Sequence, residues 1–175
     1  MIVLVLGGTR SGKSEIAEQL ASRLGEPVTV VVPGLVGDDD FNARVAAHRA
    51  RRPPAWATVE CAAQLAGALH AAPGTVLVDS LGTWVATVPG LAVDPAPVVD
   101  ALRSRHGSTV LVSEEVGLSV HPASEAGRRF VDVLGELNRI VAAAADEVFL
   151  AVAGRIQRLA PADVAFAAID VLRNA

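Results

Sequence analysis

Gly7-Gly8-Thr9-Arg10-Ser11-Gly12-Lys13-Ser14 is the stretch that decides the fold. Its spacing, G-x-x-x-x-G-K-S, is that of a phosphate-binding loop. Backbone N–H groups cradle the phosphates, the lysine reaches the outer ones, and the serine hydroxyl supports a metal ion. Lys13 is the only lysine in the chain; the other fourteen of the 15 Lys+Arg residues are arginine. Lysine brings a compact charge on a flexible stem that fits between phosphate oxygens, whereas guanidinium is a wide planar fork.

The flanking residues supply the context the loop needs. Ile2-Val3-Leu4-Val5-Leu6 is an unbroken apolar run and reads as a buried parallel strand. From Glu15 to Leu24, the apolar residues Ile16, Ala17, Leu20, Ala21 and Leu24 fall on one helical face, and Gly25 closes the helix. The helix N-terminus points the positive end of its dipole at the loop.

Working outward, further strands read at Val28–Val32, Thr75–Asp79, Thr109–Ser113 and Glu147–Ala153. Helices read from Asp38-Asp39-Asp40, one of these aspartates being the N-cap, to about Arg51, Ala62–His70, Val98–Arg105, Glu125 to about Ala145, and Pro161–Leu172, with Gly90–Pro97 as a loop. Strands alternating with helices predict a three-layer α/β, P-loop NTPase-like domain with a mostly parallel sheet. Its ligands then lie at the carboxyl ends of the strands. Residues 1–175 read as one domain, with 160–175 as a C-terminal tail or helix.

Composition narrows the function classes. The chain is 51% hydrophobic but 3% aromatic, so its core is aliphatic. A net charge of -4 argues against general nucleic-acid binding. The apolar runs are too short to span a bilayer. A single cysteine, Cys61, precludes an internal disulfide and suits a reducing cytoplasm. Cys61 reads as a packing residue, and Trp56 and Trp84 likewise, although either tryptophan is also suited to line a substrate site. His70, His106 and His121 lack neighbours at metal-ligand spacing.

Two further places carry chemistry. Asp79 ends an apolar strand, as a metal-supporting acid does beside a phosphate loop; the bland alternative is a helix N-cap. Ser14 and Asp79 are therefore the candidate Mg²⁺ residues. The second place is Arg44-Val45-Ala46-Ala47-His48-Arg49-Ala50-Arg51-Arg52-Pro53. Arg44 and His48 share a helix face, and three more arginines follow. One reading is an anion site whose positive charge keeps the imidazole neutral and nucleophilic. The other is a basic, solvated helix end.

The chain resembles the bifunctional adenosylcobinamide kinase/adenosylcobinamide-phosphate guanylyltransferase family of cobalamin assembly. The resemblance is carried by GGTRSGKSEIAEQLASRL, RVAAHRARRPPAWATVE, VLVDSLGTW, LVSEEVGLSVHP and GRRFVDVLGELNRIVAAAADEVFLAVAG, in that order, up to about Leu159. It implies that ATP or GTP phosphorylates adenosylcobinamide and that His48 takes up GMP from GTP. By the same resemblance Arg49, Ala50, Arg51, Arg52, Glu60 and Asp79 join residues 7–14 as nucleotide contacts, and the protein is a cytoplasmic homo-oligomer, a trimer. The rivals are a P-loop kinase of another small alcohol and a nucleotide-binding regulatory protein. Two departures stand out. Val32-Pro33-Gly34 replaces the family's Ala-Thr-Ala/Ser, which bears on nucleotide contacts there. Glu114 replaces asparagine, and the added carboxylate is expected to weaken binding of an anionic phosphate intermediate. Glu115 reads as a candidate substrate contact or base, or equally as a loop carboxylate of no special role.

Overall fold

The computed structural model describes residues 1–33, 51–118, 120–164 and 166. Among the described residues seven strands form one sheet: β1 (Ile2–Gly7), β2 (Val28–Val32), β3 (Ala57–Glu60), β4 (Thr75–Asp79), β5 (Thr109–Glu114), β6 (Glu147–Val152) and β7 (Arg155–Arg158). Their order is β3-β2-β4-β5-β1-β6-β7. All neighbouring pairs are parallel except β6 and β7, which run antiparallel.

Alternate residues of the buried strands feed two cores, as the two-residue period of a strand requires. Ile2, Leu4 and Leu6 pack on one face with Leu81, Trp84, Leu102, Leu134 and Leu137. Val3 and Val5 pack on the other with Ala17, Ala21 and Trp56. Among the described residues, α1 (Lys13–Leu24) therefore covers one face. On the opposite face lie α2 (Leu65–Ala71), α3 (Leu81–Thr87), α4 (Ala96–Ser104) and α5 (Glu125–Ala144). Fully buried leucines such as Leu4, Leu77 and Leu111 contribute roughly 1.5–3 kcal/mol each. The three-layer α/β expectation holds.

Several boundaries differ from the sequence reading. β3, α3 and β7 are not among the expected elements. The first is a four-residue edge strand with exposed positions, and β7 is exposed throughout, so neither shows the apolar run of a central strand. The expected loop at 90–97 holds a short 3₁₀ turn at Pro89–Leu91, and α4 begins at Ala96. Arg51 and residues 162–164 and 166 are helical, and Pro161 precedes the helix; the remainder of the helices expected at 38–51 and 161–172 lies outside the described residues.

Arg105, which the sequence does not single out, ties the far end of the sheet together. Its guanidinium donates to the carbonyls of Leu69, Ala72, Gly74 and Ser108 and to Thr109 Oγ1, at 2.6–3.3 Å. Burial pulls its pKa down. No helix among the described residues is long and apolar enough to cross a membrane.

Candidate functional site

The phosphate loop runs from the end of β1 to the first turn of α1. Ser11 N–H donates to the Gly8 carbonyl (3.3 Å), and Ile16 N–H to the Gly12 carbonyl (3.0 Å). Two glycines are demanded by space and backbone. A Cβ on Gly7 would lie 2.5 Å from Ser11 Oγ and 2.9 Å from the Ala151 carbonyl. Gly12 has φ 90°, in the left-handed region where a Cβ is strained. Gly8 differs: a Cβ there would meet nothing within 4 Å, so this side of the loop is open.

The β6–β7 hairpin braces the loop from one side. Its two-residue turn, Ala153-Gly154, has φ of 51° and 74°, both positive as in a type I′ turn. Gly154 N–H donates to the Ser11 carbonyl (2.9 Å). The Ala-Gly pair between an apolar run and Arg155-Ile156-Gln157-Arg158 was the available sequence signal for this hairpin.

Two acid pairs meet at the loop. Ser14 Oγ donates to Asp79 Oδ1 (3.2 Å), so the hydroxyl and the strand-end acid lie side by side. Arg52 Nη2 donates to Asp79 Oδ2 (2.7 Å), and its Nε donates to Glu18 Oε1 (3.0 Å). Asp79 is not the helix cap: Ser80 caps α3, its Oγ accepting from Thr83 N–H (3.2 Å). The second pair is Lys13 and Glu114. Lys13 Nζ donates to the Gly8 carbonyl (3.3 Å) and lies 3.7 Å from Glu114 Oε1. Glu114 also accepts from Ser80 Oγ (3.0 and 3.1 Å).

The structure thus brings Lys13, Ser14, Asp79 and Arg52 together with residues 7–12. Arg51 lies near Glu18, its Nη2 3.7 Å from Oε2. Glu60 ends edge strand β3, four strand spacings from β1, or about 19 Å. Arg44, His48, Arg49 and Ala50 lie outside the described residues. An open groove of about 750 Å³ adjoins Arg51 and Arg52 on the outer face of α1, lined also by Glu15, Glu18 and Trp56. Neither Lys13 nor Ser14 lines it, so the groove does not coincide with the phosphate loop.

Trp56 and Trp84 are buried, and their indole N–H groups donate to Glu26 Oε1 (3.0 Å) and the Ala63 carbonyl (3.1 Å). Cys61 is buried, and burial pushes its thiol up to about 11. His70 bonds the Ala66 carbonyl and Ser104 Oγ (3.0 and 3.2 Å). Glu115 accepts from Gly117 N–H (2.7 Å), closing its own turn. Among the described residues no cluster of three His, Cys, Asp or Glu side chains is placed to hold a metal.

A mostly parallel sheet, a complete phosphate loop and a strand-end acid bonded to the loop serine define a P-loop nucleotide-binding protein. Residues 3–159 match the family model described as CobU, cobinamide kinase / cobinamide phosphate guanyltransferase. The bifunctional adenosylcobalamin biosynthesis protein CobP of Pseudomonas aeruginosa is 38% identical over 161 residues, covering 86% of this chain and 92% of that relative. The bifunctional adenosylcobalamin biosynthesis proteins CobU of Escherichia coli and Salmonella typhimurium are 32% and 33% identical, each alignment covering 88% of this chain and 97% of the relative. Among solved structures, the VirB11 ATPase of Brucella suis overlaps at a TM-score of 0.43 and 17% identity, over 85% of this chain and 42% of that one; this likeness carries no weight. The chain belongs to the cobinamide kinase / cobinamide phosphate guanyltransferase family.

Proposed function

We propose that this chain phosphorylates the aminopropanol hydroxyl of adenosylcobinamide with ATP or GTP, then transfers GMP from GTP to that phosphate to give adenosylcobinamide-GDP. The observation that carries the reading is the Ser14–Asp79 hydrogen bond at the end of a loop that holds Lys13 over its Gly8 carbonyl, in a chain of this family. In the first reaction the hydroxyl attacks the γ-phosphorus, and Lys13 offsets charge on the leaving oxygens. In the second, a ring nitrogen of His48 attacks the α-phosphorus of GTP and pyrophosphate leaves. The phosphate oxygen of the corrinoid then displaces the imidazole from phosphorus. Arg49, Ala50, Arg51, Arg52 and Glu60 serve as nucleotide contacts in this scheme. Arg52 also orients Asp79.

Mg²⁺ suits the Ser14 and Asp79 oxygens, which are hard donors, and when bound it neutralises phosphate charge. Asp79→Asn is accordingly expected to raise the Mg²⁺ concentration needed for half-maximal turnover. It should shift the melting temperature little, because Arg52 keeps Glu18 as an ion partner. A Mg²⁺ titration that superimposes on wild type would leave Asp79 as a partner of Arg52 alone. The enzyme works in the cytoplasm, as a homotrimer, on small-molecule substrates.

Labelled nucleotides test the reading. γ-Labelled ATP should deliver phosphate to adenosylcobinamide. α-Labelled GTP should leave acid-labile label on the denatured protein. A kinase of another alcohol gives neither result, and a regulatory protein only hydrolyses nucleotide.

A further inference from the structure

Glu114 has no part in the scheme above, yet the fold builds a place for it. It ends β5, opposite Gly7 in the β1–β5 register. β5 lies between β1, which leads into the loop, and β4, which ends in Asp79. Its Oε1 is 3.7 Å from the Lys13 ammonium, and Ser80 Oγ donates to the carboxylate at 3.0 and 3.1 Å. A Cβ on buried Gly82 would collide with Glu114 Oε2, so a glycine at that position leaves the carboxylate its room. The main chain is pinned from behind: Asn138 Nδ2 donates to the Glu114 carbonyl (3.0 Å), while Ser113 Oγ donates to Asn138 Oδ1 (2.6 Å). The side chain is 32% exposed, so it remains open to a substrate.

We propose that Glu114 is the general base of the kinase step. The inference rests on the kinase reading given above. The substrate O–H bond breaks and its proton passes to a Glu114 carboxylate oxygen. The freed electron pair forms the O–Pγ bond, and the bond from Pγ to the bridging oxygen breaks, leaving its electrons on the nucleoside diphosphate beside Lys13. The neighbouring ammonium offsets the carboxylate's charge next to a triphosphate. Among the described residues, the other acids at these strand ends have different partners. Asp79 accepts from Ser14 and Arg52, and Glu115 accepts from its own turn. An asparagine at this position can orient the same hydroxyl but cannot take its proton. Guanylylation needs no such base, because a neutral imidazole and an already ionised phosphate are its nucleophiles.

Glu114→Gln keeps the volume and an acceptor for Ser80. Its turnover in phosphoryl transfer is expected to fall about a hundredfold or more. The KM for nucleotide should stay the same or drop, and the protein–GMP adduct should form at the wild-type rate. Unchanged turnover with a lower KM would overturn the proposal and leave Glu114 as a counter-ion of Lys13. Equal loss of both reactions would overturn it too, marking a shared structural role. Glu114→Asp keeps a carboxylate and should retain more turnover than Glu114→Gln; equal rates for the two also overturn the proposal. If wild-type enzyme phosphorylates no cobinamide, the kinase reading itself fails. Corrinoid-free nucleotide hydrolysis, with water as the attacker, then tests Glu114 on its own: a fall of the same size supports the base, and an unchanged rate rejects it.

Discussion

Lys13→Ala is expected to lower phosphoryl transfer on the order of a thousandfold, about 4 kcal/mol of barrier, while the protein still folds. The loop places the ammonium between the Gly8 carbonyl and Glu114, at the side where a Cβ on Gly8 would meet nothing. A triphosphate cradled there gains charge on its outer oxygens as the bond to the γ-phosphorus breaks, and Lys13 is a cation that the loop itself supplies to them. The fold should survive because the Lys13–Glu114 pair is partly exposed and worth at most about 1 kcal/mol. Lys13→Arg is the sharper comparison. It keeps the charge but replaces a point cation with a planar fork, and most of the activity should still be lost. A well-folded Lys13→Ala enzyme turning over at near wild-type rate would sink the assignment of this loop.

His48→Ala should abolish GMP transfer and spare much of the phosphorylation of adenosylcobinamide. The two reactions differ in their nucleophile. In the proposed scheme the first uses the substrate hydroxyl, and in the second the enzyme itself carries the nucleotide. His48→Asn keeps polarity and approximate size but lacks nucleophilic ring nitrogens, so it should behave like the alanine variant. Mass spectrometry after exposure to GTP should find one added GMP on wild type and none on either variant. An adduct persisting on both would move the nucleophile to another residue. An active wild type without any adduct would mean direct transfer, with His48 one member of an arginine-rich anion site.

Much of the site was legible because its parts are local. The phosphate loop, its strand and its helix lie within residues 2–24, where spacing alone specifies the geometry. Asp79 was legible because an acid ending an apolar strand has few uses. Its contact with Ser14 bridges 65 positions of sequence, and only the pairing of β4 through β5 to β1 brings the two together. The competing reading of Asp79 as a cap failed for a local reason: the next residue, Ser80, takes that role. Glu114 and Glu115 are neighbouring acids, and the sequence offered Glu115, not Glu114, as the candidate substrate contact or base. Strand alternation turns the first toward Lys13, while the second closes a turn of its own.

Fold class, loop and family can all be read from the chain before it folds, since each rests on short-range pattern or ordered motifs. What the polar edge strands do, and which acid faces the lysine, depends on long-range pairing. β3 and β7 have no apolar run; they exist because β2 and β6 offer unpaired backbone groups to hydrogen-bond, and neighbours of that kind leave no mark in four residues of sequence. The turn of the β6–β7 hairpin supports the phosphate loop from a point more than a hundred residues along the chain, through the bond from Gly154 to Ser11. Arg105, likewise, reads as one of fourteen arginines until the chain folds its five acceptors around it.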